Sequence, residues 1–285
     1  MLLFLTSLCL CLAQPALDAQ PLSGSAFVAV QQQDLGEQLK ALDKLMRGKD
    51  NQASVLEALA RLRVTAVVIT NQLNAAENPG EDDSKSEMKK IARTSKRNLA
   101  KIADNLMGVI LHPRRKKITI ENLEIWKEAV SSLGQLGVYG SHDLWQIFDS
   151  NKKFKDEPGF LYLCLVEIGT TKDYSRMSDL VKLLDNSEFL YIAGAAEAIA
   201  KFGDAPGKSR RMAVETLSKY ISQYYEAIQS NASDEEAQRK YRITSQSLIK
   251  ALTALTGQKI VRPLEWTAWW NENKNKPELW KDKDE

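Results

Sequence analysis

Three apolar segments in the middle of this chain end in the same way. Ala129–Gly137 (AVSSLGQLG), Leu163–Gly169 (LCLVEIG) and Ala195–Gly203 (AAEAIAKFG) each close on an apolar residue followed by glycine, and the glycines stand 32 and 34 residues apart. Glycine at the end of such a run is where a left-handed helix cap belongs. A short polar turn then leads each time to a second amphipathic stretch, at Asp143–Phe148, Ser175–Leu184 and Lys208–Ile228. Self-similarity at this period predicts stacked helix pairs, because each pair leaves an apolar face that its neighbour must bury. A fourth, longer unit follows. Ser233-Asp-Glu-Glu236 reads as a capping box with Ser233 at the N-cap, and the helix runs through Tyr241, Leu248 and Leu255 to Gly257. Phe160–Ile168 is apolar at nearly every position, so periodicity alone also allows a buried strand; its place in the register favours helix.

The N-terminal third has a different grain. Val55, Leu59, Leu62, Ala66, Ile69 and Leu73 recur at steps of three and four, as one face of a helix over 52–76. Asn78-Pro-Gly80 ends it. A second stripe, Met88, Ile91, Leu99, Ile102, Leu106 and Ile110, predicts a helix over 86–111 that His112-Pro113 stops. Two long helices joined by a short acidic loop predict an antiparallel hairpin. The fold expected is all-α: an α-solenoid of helix pairs over 118–257 preceded by a long helical hairpin at 34–117.

Met1–Leu12 is an apolar run too short to span a bilayer, and Cys11-Leu12-Ala13 supplies a small-x-small step, so residues 1–13 read as a signal peptide. No Lys or Arg precedes the run, which leaves an uncleaved anchor or a buried helix as alternatives. Residues 14–33 show no period and read as a flexible leader. The expectation is export to the periplasm or cell envelope, with no membrane span after cleavage. Cys164 is then the one cysteine outside the signal; in the run Phe160–Val166 it reads as a small buried hydrophobe.

The chain's end carries the resemblance. Leu255-Thr-Gly-Gln258, followed by Trp266-Thr-Ala-Trp269-Trp270-Asn-Glu-Asn-Lys274, resembles the terminal segment of secreted bacterial HEAT-repeat proteins, which close with a Leu-Thr-Gly-Gln turn and a Trp-x-x-Trp-Trp-x-x-x-Lys helix. The likeness covers about residues 120–275. It implies a helical scaffold that binds a protein partner. Trp266, Trp269 and Trp270 fall at i, i+3, i+4 on one helical face, suited to capping the array over 258–275 or, alternatively, to an aromatic platform. Residues 276–285, Trp280 included, read as a charged tail outside the fold.

Residue types for catalysis are sparse. Of two histidines, His112 abuts Arg114-Arg-Lys-Lys117, which lowers its pKa, and His142 lies in Ser141-His-Asp-Leu144, where Ser or Asp suits a helix cap. No nucleophile elbow, phosphate loop, zinc spacing or cofactor motif occurs, so neither cofactor nor metal is expected. Asn231-Ala-Ser233 is a formal glycosylation sequon. The net charge of +2 demands no polyanionic partner overall, yet residues 85–117 hold eleven Lys and Arg against Glu87 and Asp104. Lys89, Lys90, Arg93, Lys96, Arg97 and Lys101 share about 140° of helical arc opposite the apolar stripe. Arg114, Arg115, Lys116 and Lys117 extend it. Such a face suits an anionic lipid headgroup, polysaccharide or acidic protein, or is a solvated face partly neutralised by Glu81-Asp-Asp83. Without interleaved aromatics it does not suit single-stranded nucleic acid.

Overall fold

The computed structural model describes residues 24–48, 51–80, 84–150 and 152–282, with side chains from residue 34 onward. The expected signal at 1–13 lies outside the described residues. The fold is all-α, with no strand among the described residues. No helix among them is long and apolar enough to cross a membrane.

Three long helices open the chain: α1 Gly24–Arg47, α2 Gln52–Glu77 and α3 Lys85–Ile110. α2 and α3 form the expected hairpin, and α2 buries all six of its expected stripe positions. α3 buries Leu99, Ile102, Leu106 and Ile110, while Met88 and Ile91 stay half-exposed. Two corrections follow. The stretch at 14–33 is not a leader throughout, since α1 starts at Gly24. And α1 packs on both α2 and α3, turning the hairpin into a three-helix unit. Leu35, Leu42 and Met46 supply the seven- and four-residue steps of its buried face.

Shorter helices follow: α4 Ile120–Gly134, α5 Val138–Ser150, α6 Pro158–Thr170, α7 Met177–Lys182, α8 Phe189–Ala200, α9 Gly207–Ser230, α10 Glu235–Thr256 and α11 Pro263–Asn273. The even-numbered helices touch one another in chain order from α2 to α10, and each packs on the odd-numbered helix that precedes it. Phe160–Ile168 is helical, which excludes the strand alternative. The stretch Ser175–Leu184 is not one helix: single 3-10 turns at Tyr174–Arg176 and Leu183–Asp185 flank the six-residue α7. His142 lies within α5, so Ser141 and Asp143 cap nothing. The N-cap of α10 is Asp234 rather than Ser233; its carboxylate accepts the Ala237 N–H at 2.9 Å.

The glycine period has a different cause from the one expected. Gly137 (φ +60°) and Gly257 (φ +74°) are left-handed, but Gly169 and Gly203 are not. Gly169 sits inside α6, and the left-handed residue after that helix is Lys172 (φ +57°). What Gly169 supplies is closeness: a Cβ there would lie 2.6 Å from the Ala198 Cα and 2.7 Å from its carbonyl oxygen. The α6–α8 spacing therefore depends on the missing side chain.

The segment expected as a charged tail folds back onto the start of α9. Trp280 rings lie 6.4 Å from Trp269 and 5.8 Å from Trp270, and the Trp280 indole N–H donates to the Asn273 carbonyl at 3.3 Å. The buried Arg210 guanidinium donates to the carbonyls of Ala205 (3.0 Å), Leu255 (3.4 Å), Leu279 (3.4 Å) and Lys281. A Cβ on Gly207 would collide with the Trp280 carbonyl at 1.6 Å, so only glycine lets the returning chain lie against this helix start. The Gly207 N–H donates to the Asp282 carboxylate, so the chain is bound through residue 282 although its composition, rich in Lys, Asp and Glu, suggests it should be solvated.

Candidate functional site

Three surfaces hold the residues that could meet a partner. The first is the exposed face of α3. Lys89, Lys90, Arg93, Lys96, Arg97 and Lys101 are all exposed along it. Lys96 pairs with Glu77 of α2 at 2.6 Å, and that carboxylate raises its pKa. Among the described residues the other five have no carboxylate within 4.0 Å. The run after the helix splits up. Lys116 and Lys117 are exposed. Arg114 is exposed but donates to the Arg47 carbonyl at the end of α1. Arg115 does not extend the face as expected: it turns inward to Asn122 Oδ1 at 3.0 Å, and its Nε is buried without an acceptor. His112 has its pKa lowered by burial first and by Arg114 and Arg115 second. Glu81-Asp-Asp83, expected to offset the cations, lies outside the described residues.

The second is a cleft of about 370 Å³ where the N-terminal unit meets the shorter helices. Leu73, Leu99 and Leu136 are its buried apolar part; Thr70, Asn71, Asn74, Gln135 and Lys172 are polar residues lining it. Val67 and Val138 also line it, and Val138 is 58% exposed. Val64, one turn before Val67, is 65% exposed. The cleft is shaped by chain geometry: α4 ends at Gly134, left-handed Gly137 reverses the chain, and α5 restarts at Val138. Thr70 Oγ1 donates to the Gln135 carbonyl at 3.0 Å and fixes α2 against that turn.

The third is a polar seam that crosses every junction of the even-numbered row. Arg63 meets Glu128 at 3.3 Å between α2 and α4. Ser131 Oγ donates to Glu167 at 3.4 Å between α4 and α6. Lys201 donates to the Val166 carbonyl (3.0 Å) and Thr170 Oγ1 (2.6 Å) between the end of α8 and α6. Glu197 accepts from Ser247 at 3.1 Å and from Lys250 between α8 and α10. Burial lowers the Lys201 pKa. The sequence reading missed this seam, although its signal was visible: Glu167 and Glu197 are lone carboxylates inside apolar runs.

Buried positions account for the remaining candidates. Trp266 and Trp270 are buried in α11, which packs on α9; Trp269 is half-buried, with its ring 6.2 Å from that of Trp266. Ser222 and Thr267 hydroxyls lie 2.6 Å apart in the same α9–α11 interface. Buried Trp faces do not form an open platform. Cys164 is fully buried, and burial pushes its thiol well above the ordinary range. Lys153 sits at the junction between the two parts of the molecule. Its ammonium lies 3.6 Å over the Trp126 ring and donates to the Ile110 carbonyl (3.1 Å) and the Arg115 carbonyl (3.2 Å). Trp126, Phe154 and Phe160 pack around it, with centroids 4.5–6.4 Å apart. Burial pushes the Lys153 pKa down to about 8. Among the described residues no group of three His, Cys, Asp or Glu side chains could hold a metal ion.

No family model matches this chain, and no curated protein matches it. Solved structures give a match of low similarity: a crystal structure of an engineered protein is 14% identical, covers 76% of this chain and 97% of its own, and superposes with a TM-score of 0.30.

Proposed function

We propose that this protein is a non-catalytic binding scaffold, a HEAT-like α-solenoid whose protein partner docks at the cleft between α2, α4 and α5. The cleft carries the reading. It joins a leucine floor to a polar rim and exposed valines, the anatomy of a protein interface with an apolar centre and a wet edge. The chain-order contacts of the even-numbered helices support the array, and the burial of Trp266 and Trp270 against α9 supports α11 as its end cap. Export to the periplasm or cell envelope belongs to the same proposal and rests on Met1–Leu12. The test places a photo-crosslinking residue at Val138 and, as control, at exposed Met212 of α9 in the native host. The expected result is one discrete protein adduct from position 138, lost on adding Val67→Glu. Identical adduct patterns at both positions would sink the reading.

A second reading assigns binding of an anionic surface to α3. Five exposed cations with no carboxylate within 4.0 Å among the described residues favour it, because like charges on one helix cost stability unless an outside anion offsets them. Binding to heparin should weaken steeply with added salt. Salt-independent retention would remove this reading.

A further inference from the structure

We infer that the cationic face of α3 and the corner at 111–120 make one surface for an anionic lipid bilayer. This rests on the second reading above and names its ligand class. The corner interleaves exposed aliphatic and cationic side chains: Leu111 (48% exposed), Ile118 (38%) and Ile120 (79%) beside exposed Arg114, Lys116 and Lys117. Helical projection at about 100° per residue places Leu111 inside the same arc as Lys89, Arg93 and Arg97. The distance along the axis from Lys89 to Leu111 is about 33 Å at 1.5 Å per residue, enough to cover several lipid headgroups.

The pairing of charge with exposed aliphatic groups selects the ligand. A polysaccharide offers anions and no apolar phase, so it would leave Leu111 and Ile120 in water. A bilayer interface takes both: headgroups attract the cations, and the acyl boundary accepts the aliphatic tips. Among the described residues, acids bordering the face are few and partly engaged. Glu77 is held by Lys96 and Asp43 by Arg47 at 2.6 Å each. Asp104 and Glu87 remain exposed on α3 and reduce the field without reversing its sign.

The experiment is cosedimentation of the full chain with phosphatidylcholine vesicles with and without phosphatidylserine, alongside elution from heparin resin. One variant removes charge (Lys89→Gln, Lys90→Gln, Arg93→Gln, Arg97→Gln). The other removes apolar tips (Leu111→Ser, Ile120→Ser). All six positions are exposed, and retained helicity by circular dichroism checks the fold. Binding is expected to require phosphatidylserine. It should weaken about fivefold per cation removed and about tenfold for the apolar pair. On heparin the charge variant should elute early and the apolar variant with the parent. Heparin retention without vesicle binding, or vesicle binding that ignores the apolar pair, overturns the lipid assignment and leaves the charged face standing. Binding to neither, or binding that the charge variant leaves unchanged, overturns both.

Discussion

The cations of α3 and the cations of the shorter helices come from the same two residue types and do opposite things. Those of α3 stand in water, and among the described residues only Lys96 of the six is paired with a carboxylate, that of Glu77. Lys153, Lys201 and Arg210 are drawn inward, and each spends its donors on carbonyls near helix ends: Ile110 of α3, Val166 of α6 and Leu255 of α10. A helix C-terminus leaves carbonyls unpaired and carries partial negative charge, so a cation from the neighbouring element satisfies both at once. The lesson is that charge density along the sequence does not by itself decide exposure: Lys153 and Arg210 each stand among other cations, yet turn to helix-end carbonyls because a neighbouring helix stops within their reach.

Substitutions can break this contrast. The largest effect is expected at Arg210. Arg210→Ala removes a buried guanidinium and orphans several carbonyls together, so chemical denaturation should show a loss of about 3 kcal/mol. A loss under about 0.5 kcal/mol would mean water substitutes for it there.

Lys153→Met keeps the stem over Trp126 and deletes the ammonium, with an expected loss of about 1 kcal/mol at neutral pH. The pH dependence sharpens the point. The folded-state pKa, about 8, lies below the ordinary lysine value of 10.5, so between these values the unfolded chain binds more protons. Stability from this group therefore rises with pH across that window. Denaturation midpoints from pH 8 to 10 should show the parent gaining on the variant, and a constant gap would refute the buried-ammonium assignment.

Lys172 is intermediate: an exposed side chain that donates to the Lys201 carbonyl from a left-handed backbone. Relieving that backbone with Lys172→Gly should stabilise by about 1 kcal/mol, less whatever the exposed hydrogen bond contributes. Thermal melts measure the net sign. Smallest of all, Lys89→Gln with Lys90→Gln should shift stability by no more than about 0.5 kcal/mol. A larger destabilisation would show that these lysines hold the fold and are not a free surface.

These residues also show what the sequence could disclose. Amphipathic stripes such as Val55–Leu73 and Leu99–Ile110 were legible because burial repeats at the helical period, and the exposed arc of α3 followed as their complement. The glycine period was legible as a period but not as a cause. Spacing cannot distinguish a residue that turns the chain, as Gly137 does, from one that lets two helices approach, as Gly169 does. The place of Trp280 is hidden by a charged local composition, because its partial burial depends on Trp269, Trp270 and the start of α9, some seventy residues earlier. Arg115 was misplaced for a related reason: four consecutive cations look alike until the chain bends and Asn122 claims one. The cleft beside Val138 had no sequence signal, since three helix ends define it jointly.

The partners of Arg210 give the fold an order in time. Its guanidinium reaches carbonyls as far ahead as position 281, seventy-one residues downstream. During synthesis the guanidinium at the beginning of α9 therefore has only the Ala205 carbonyl in reach at first, and its last acceptors, at 279 and 281, arrive when almost all of that stretch has left the ribosome. Earlier helices can assemble as they emerge, but this end of the molecule closes in a single late event. Ribosome-stalled chains shorter than that should be cut by protease near Gly207 and spared elsewhere.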